Sequence, residues 1–425
     1  MRHRRIGFTQ DLASCKSFLV RTAYKVRAYP DAEQAALLRR TFGCVRVVWN
    51  KTLADRQRRY TLEQKSTSYK ETDAALARWK HTEELAFLSE VSSVPLQQTL
   101  RHQHAAFAAF FKGSARYPRF KNRHGRQSAH FTRSAFRIKN GGLWLAKTTA
   151  PLRIVWTWSG IDLSELDPTM VIVSREPDGR WFMTFAVDQA DPAPLPGAGD
   201  AVGVDLGIKD FAVLSTGEKI ANPRHMARYE RGLRRHQRRL ARMRKGSANR
   251  AKQRVKVARK HSRVRGARRD FLHKTSTSLV RQFDTIAVED LAPKNMVRNR
   301  RLAKSISEAS WGEFRAMLEY KAERAGRSLV VINRWYPSSK TCSACGHLLA
   351  KLSLGTRHWT CPACGTRHDR DTNAAKNILV AAGLAGTQNA CGGDVRPQGT
   401  PLRQSPVKQE LSDASPGIPV LQGGE

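Results

Sequence analysis

The chain has 425 residues, 40% of them hydrophobic, with 75 Lys and Arg against 36 Asp and Glu, a net charge of +39 and a pI near 10.8. That length suits two to four domains with real cores, and the charge selects a polyanionic partner, nucleic acid rather than a membrane surface. No run approaches the roughly 18–20 apolar residues of a membrane span, and the basic amino end lacks the apolar centre of a signal peptide.

Residues 1–21 read as a disordered extension. YKVRAY (24–29) alternates as a short strand, and Pro30-Asp31 starts a helix with Ala35, Leu38, Phe42, Val45 and Val48 near helical spacing. Helices continue through Trp79 to a stripe of Leu96, Leu100, Phe107 and Phe111, read as core rather than as a recognition surface. Tyr117–Lys121 ends the helical run. Beyond it FRIKNGGLWLA, PLRIVWTW, MVIVSRE and RWFMTFAVD alternate as strands, with turns at Asn140-Gly141 and Asp178-Gly179. Residues 134–188 are therefore expected to form a small antiparallel barrel, followed by a linker at 191–199.

The next segment, AVGVDLGIKDFAVLSTGEKI, reads as strand, turn and strand. Asp205 stands in an apolar run between Gly203 and Gly207. A mid-strand aspartate there is costly unless it is paired or binds a metal, and the bare neighbours would let a phosphate or cation come close. Between Arg224 and Lys274 lie 21 Lys and Arg against two acids, two basic helices broken near Gly246. So unbalanced a run is self-repelling unless it meets phosphate, although charge runs are often only solvated faces. FDTIAVEDL (283–291) reads as a buried strand ending in Glu289 and Asp290, acids that could equally be solvated strand-end groups. Asn295–Ser305 is a basic loop, the helix 309–325 carries Trp311, Phe314 and Leu318 on one face, and SLVVIN adds a strand.

Two C-x-x-C pairs, Cys342/Cys345 and Cys361/Cys364, flank fifteen residues, the spacing of a zinc ribbon. Four thiolates leave no position for substrate, so zinc there would be structural. The alternative is four unrelated cysteines. Cys15, Cys44 and Cys391 are scattered, which suits a reducing cytoplasm. His347, His358 and His368 read as bystanders. HDRDTNAAKN then opens a helix with Asp371 at its start, where its plainest role is that of an N-cap.

Asp205, Glu289 and Asp371 are thus three acids 84 and 82 residues apart, each at the edge of an element. That order resembles a ribonuclease H-like, or RuvC-like, nuclease. GVDLGIKDFAV, AVEDL, SSKTCSACG, WTCPACG and HDRDTNAAKNIL resemble the TnpB/OrfB proteins of insertion sequences, compact relatives of RNA-guided type V CRISPR effectors. The likeness runs over about residues 22–395. It implies an α+β multidomain chain: a wedge β-barrel at 22–30 and 121–190, a helical recognition domain at 31–120, and a RuvC-like nuclease domain at 200–340 and 367–385. The last carries a basic insertion at 224–274 and a zinc ribbon at 341–366, and 386–425 would be a disordered tail.

The resemblance further implies an RNA-guided DNA endonuclease. Asp205 would bridge two Mg2+ ions about 3.5–4 Å apart, with Glu289 and Asp371 each holding one; Asp290 and Asp369 are reserve candidates. Its partners would be a guide RNA from the element's end and a double-stranded DNA target unwound to single strands, with the protein monomeric in a prokaryotic cytoplasm and associated with the nucleoid. Arg234, Arg235, Arg238, Arg239, Arg242, Lys252, Arg254, Arg298, Arg300 and Arg301 are the expected nucleic-acid contacts, and Tyr69, Gln97 and Thr132 candidates for reading a short motif beside the target. The competing readings are a guide-dependent repressor that does not cut, a strand-transferring transposase, and a ribosome-like zinc-ribbon RNA binder. The first would be expected to lose one acid, the second lacks a tyrosine nucleophile with a His-x-His motif, and the third leaves the three acids unexplained.

Overall fold

A computed structural model describes residues 19–158, 160–190, 193–353 and 355–384. The terminal segments 1–18 and 385–425, with Cys15, Cys391 and the expected tail, lie outside the described residues.

The first strand, β1 (Leu19–Tyr29), begins inside the stretch read as a loose extension, so residues 19–21 belong to the fold. Its partner, β7 (Trp181–Ala190), accounts for this. Leu19–Ala28 pair antiparallel with Ala190–Trp181, and Arg21 reaches Asp188 at 2.7 Å. Helix α1 (Ala32–Glu63) starts in a capping box: the Gln34 amide donates to the Asp31 carboxylate at 2.8 Å while the Asp31 amide donates to the Gln34 side chain. Helices α2 (Tyr69–Trp79) and α3 (Ser93–Phe111) follow, with a 3-10 turn between them. In the expected apolar stripe, Leu96, Leu100 and Phe107 are buried, but Phe111, the last residue of α3, is 77% exposed.

Next come β2 (Gln127–Thr132), the hairpin β3 (Phe136–Lys139) and β4 (Gly142–Leu145), β5 (Arg153–Val155), β6 (Pro168–Arg175) and β7 (Trp181–Ala190). The hairpin turns on Asn140 and Gly141, both at positive φ, as a two-residue Asn-Gly turn requires. Five strands form one antiparallel sheet in the order β2-β6-β7-β1-β5, and its inner face shares a core with α1, α2 and α3.

The second half is built on β8 (Ala201–Leu206), β9 (Asp210–Leu214), β10 (Lys219–Ala221), β11 (Thr285–Glu289) and β12 (Ser328–Ile332), in the order β10-β9-β8-β11-β12. The β8–β10 strands are antiparallel, whereas β11 runs parallel to both β8 and β12. Val202, Val204, Ile286, Ala287 and Val288 are almost wholly buried, as expected of strands covered on both faces. Between β10 and β11 lie α4 (His225–Arg242) and the 35-residue α5 (Ala248–Gln282), separated at Gly246 with φ 86°.

The basic stretch 295–305 is no simple loop. It holds the end of α6 (Pro293–Met296) and the start of α7 (Ala303–Ala309). Ser310, at φ 54°, breaks the chain before α8 (Trp311–Ala325), whose Trp311, Phe314 and Leu318 pack with Leu272 and Leu279 of α5 against β8, β9 and β11. The small strands β13 (His358–Thr360) and β14 (Arg367–Asp369) pair in the cysteine-bearing segment, and α9 (Arg370–Ala381) covers the other face of the sheet through Ile378.

Candidate active site and metal centre

Register brings the acids together. Val204 of β8 pairs with Val288 of β11, so Asp205 and Glu289 leave neighbouring parallel strands side by side. Helix α9 delivers Asp371 from above, and a glycine permits its approach. A Cβ at Gly203 would stand 2.0 Å from the Ala375 carbonyl oxygen and 2.9 Å from the Leu379 amide. The bareness expected to admit a phosphate or cation thus admits α9 instead, and a Cβ at Gly207 would meet the Asp210 carbonyl at 2.7 Å.

Helix α9 is not capped by Asp371. The Asp369 carboxylate accepts from the Asp371 and Thr372 amides at 3.2 and 3.0 Å and also binds the Lys219 ammonium at 2.7 Å. Asp371 is left in the first turn with one ion pair, to Arg357 at 3.4 Å. Asp290 is likewise occupied, held by Arg315 at 2.5 Å and by Arg334. Both reserve acids are therefore tied up by cations, while Glu289 and Asp371 lie close enough to Asp205 to act on its charge.

The electrostatics carry the mark of that crowding. Burial first, then the Glu289 and Asp371 carboxylates, push Asp205 up to about 8, with Arg370 opposing. Burial also raises Glu289, against a hydrogen bond from the Ser338 hydroxyl at 2.5 Å. Among the described residues no protein donor bonds the Asp205 carboxylate. Carboxylate oxygens are the ligands that a divalent cation such as Mg2+ takes, and a carboxylate with no donor among the described residues is costly unless something pairs with it.

The cysteines form the second centre. Each pair sits on the same turn: the Gly346 amide donates to Cys342 O and the Gly365 amide to Cys361 O, both at 2.9 Å, with the glycines at φ 78° and 71°. The four Sγ atoms lie within 4.8 Å of one another, and the Cys342–Cys364 and Cys345–Cys361 sulfurs are both 3.7 Å apart. Four ligands at about 2.3 Å from a tetrahedral zinc would stand roughly 3.8 Å from each other, so the cluster can hold zinc. His368, expected to be a bystander, is buried against Trp359 with Nε2 3.0 Å from Cys342 Sγ, the position of a donor to a metal-bound thiolate.

Arg234, Arg235, Arg238, Arg239 and Arg242 line one open groove along α4 with Arg231. Lys252 and Arg254 are exposed on α5, where Arg254 lies 3.3 Å from His124 Nδ1, and Arg298, Arg300 and Arg301 are exposed between α6 and α7. Tyr69 opens α2 beneath the Arg101 guanidinium, Gln97 is half-buried in α3 and Thr132 closes β2.

The sequence gives no role to Ser338 or Asn377, and Asn373 enters only as the end of Asp371-Thr372-Asn373, yet all three are buried between the acids and the cysteines.

Residues 184–300 match the OrfB family of insertion sequence IS605, described as "Probable transposase", and residues 311–378 match a Cas12f1-like TNB domain. Residues 20–65 match a helix-turn-helix profile, although here they hold one strand and one continuous helix. A Streptomyces pristinaespiralis protein with the provisional name RNA-guided DNA endonuclease is 54% identical over 95% of this chain and 99% of its own. An Escherichia coli K12 protein, provisionally RNA-guided DNA endonuclease InsQ, is 30% identical over 91% of this chain and 97% of its own. Among solved structures, Cas12f1 in complex with sgRNA and target DNA aligns over 85% of this chain and 98% of its own, with a TM-score of 0.52 at 12% identity.

Proposed function

The chain belongs to the OrfB family of insertion-sequence proteins, and from that premise we propose that it is an RNA-guided DNA endonuclease with a RuvC-like centre at Asp205, Glu289 and Asp371. The observation that carries the chemistry is the parallel register that sets Asp205 beside Glu289 at the ends of β8 and β11, with no donor to Asp205 among the described residues; burial and then the Glu289 and Asp371 carboxylates push it up to about 8. Such a group discharges its cost by ligating cations. Mg2+ held by the three acids would supply an activated water and charge neutralisation at the scissile phosphate. The protein's own part is to fix the ligands: β8 and β11 set Asp205 and Glu289, α9 sets Asp371, and Asp369 and Asp290 stay bound to cations. The sheet order, antiparallel through β8–β10 and parallel through β11 and β12, supports the ribonuclease H reading of this half.

In the cysteine segment we assign structural zinc to Cys342, Cys345, Cys361 and Cys364. The five-stranded sheet with its hairpin serves as the wedge barrel, and α1–α3 as the recognition helices. RNA and the DNA target engage the arginines of α4, Lys252 and Arg254 of α5, and Arg298, Arg300 and Arg301. Tyr69, Gln97 and Thr132 remain the candidates for the flanking motif. The names of the two full-length relatives support guidance by RNA, and the presence of all three acids favours a cutting enzyme over a binder that represses.

The test is to purify the protein from cells that also carry the flanking element DNA and to sequence the RNA it retains. A discrete RNA running past the element boundary is expected. A spread of unrelated cellular RNA would refute guidance.

A further inference from the structure

The wall between the two centres is a single hydrogen-bonded unit. The Ser338 hydroxyl donates to Glu289 Oε1 at 2.5 Å, and Ser338 is only 7% exposed. Its carbonyl accepts from Asn377 Nδ2 at 2.7 Å and from Asn373 Nδ2 at 3.5 Å. The same two asparagines donate to the Thr341 carbonyl at 2.6 and 2.7 Å, and Asn373 Oδ1 accepts from the Ser343 amide at 2.9 Å, next to Cys342. Both asparagines are 2% exposed and stand on α9, the helix that carries Asp371. One continuous set of bonds therefore runs from the first cysteine turn through α9 and Ser338 to Glu289.

We propose that Ser338 is a positioning residue for the divalent-ion centre: it fixes the Glu289 carboxylate by one oxygen and leaves the other for a cation, and the cysteine cluster holds Ser338 in place. This rests on the reading of the three acids as a cation site. A free glutamate side chain loses rotamer freedom when it is ordered. A short hydroxyl-to-carboxylate bond makes that loss before the ion arrives. Residues that orient metal ligands in this way change affinity by roughly 10- to 100-fold when removed.

The test is Mn2+ titration of the full-length chain, freed of nucleic acid, with free Mn2+ read by electron paramagnetic resonance and bound zinc by atomic absorption. Ser338→Ala should weaken Mn2+ binding by about 10- to 100-fold with zinc content unchanged. Ser338→Thr, which keeps the hydroxyl, should return it to within about threefold. Stripping zinc from the wild type should lower Mn2+ affinity as much as Ser338→Ala does, and this arm needs no variant to fold. Asp205→Asn serves as the reference. If it abolishes Mn2+ binding while Ser338→Ala and zinc removal leave affinity within about twofold, Ser338 has no positioning role. If Asp205→Asn also leaves Mn2+ affinity unchanged, the acids are not a cation site and the underlying reading falls first.

Discussion

Gly203→Ala is the sharpest perturbation of the site that touches none of its acids. The added Cβ would lie 2.0 Å from the Ala375 carbonyl oxygen, whereas ordinary contact begins at 3.4 Å, so α9 would have to retreat by about 1.4 Å or β8 bend. Retreat is opposed at the start of the helix, where Asn373 and Asn377 grip the Thr341 carbonyl and Asp369 grips Lys219. Overpacking of this kind costs on the order of 1–3 kcal/mol, and a shift of about 1 Å at a reacting group can cost roughly 100-fold in rate. Asp371 rides on the displaced helix. In a single-turnover cleavage assay with bound guide RNA, Gly203→Ala should therefore lose about 100-fold or more in rate, with a lowered melting temperature. Its RNA affinity should stay within about twofold, because the basic surface of α4 and α5 does not depend on α9. A soluble variant that cuts within about threefold of wild type would refute the idea that this glycine sets the position of Asp371.

Other outcomes follow from the same structure. Asp205→Asn removes a carboxylate that has no donor among the described residues and is pushed up by two others, so it should abolish cleavage yet raise the melting temperature of chelator-treated protein, as measured by calorimetry. Replacing Arg234, Arg235 and Arg238 together by alanine should flatten the slope of log RNA affinity against log salt by about 2–3, measured by filter binding across salt concentrations. Burial first, then His102, Arg126 and Lys121, hold His130 down at about 4. The unfolded chain takes up that proton near 6.5. Stability is therefore full above about 6.5 and is lost as pH falls toward 4, by at most about 3 kcal/mol. Urea titrations at pH 7 and pH 4.5 should show a smaller difference for His130→Gln than for wild type.

What could be read from the residues alone was the chemistry that residue type and spacing carry. The cysteine pairs, with Gly346 and Gly365 after them, announced two matching turns, and the apolar runs before Asp205 and Glu289 announced buried strands. Contacts across long sequence separations stayed hidden. The role of Gly203 depends on Ala375, far downstream, and the bareness alone suited a ligand just as well as a helix. Asp371 looked like the cap of its helix because Asp369, two residues earlier, has the same side chain; only the backbone shows which one accepts the free amides. Strand β2 went unread because QSAHFT lacks a run of β-branched residues, and its place is set by pairing with β6. Phe111 fitted the helical period of the core, but it is the last residue of α3 and stands exposed. The link from Ser338 to Glu289 joins residues 49 apart through a hydroxyl that nothing in its local sequence distinguishes.

The most direct measurement is retargeting. The purified protein would be loaded with its own RNA carrying a new guide segment, and supplied with Mg2+ and two plasmids, one matching the old segment and one the new, each beside the same flanking sequence. Cleavage should move entirely to the newly matched plasmid and vanish with Asp205→Ala, which still binds the RNA. Cutting that ignores the guide segment, or that survives loss of Asp205, would contradict an RNA-guided nuclease centred on Asp205, Glu289 and Asp371.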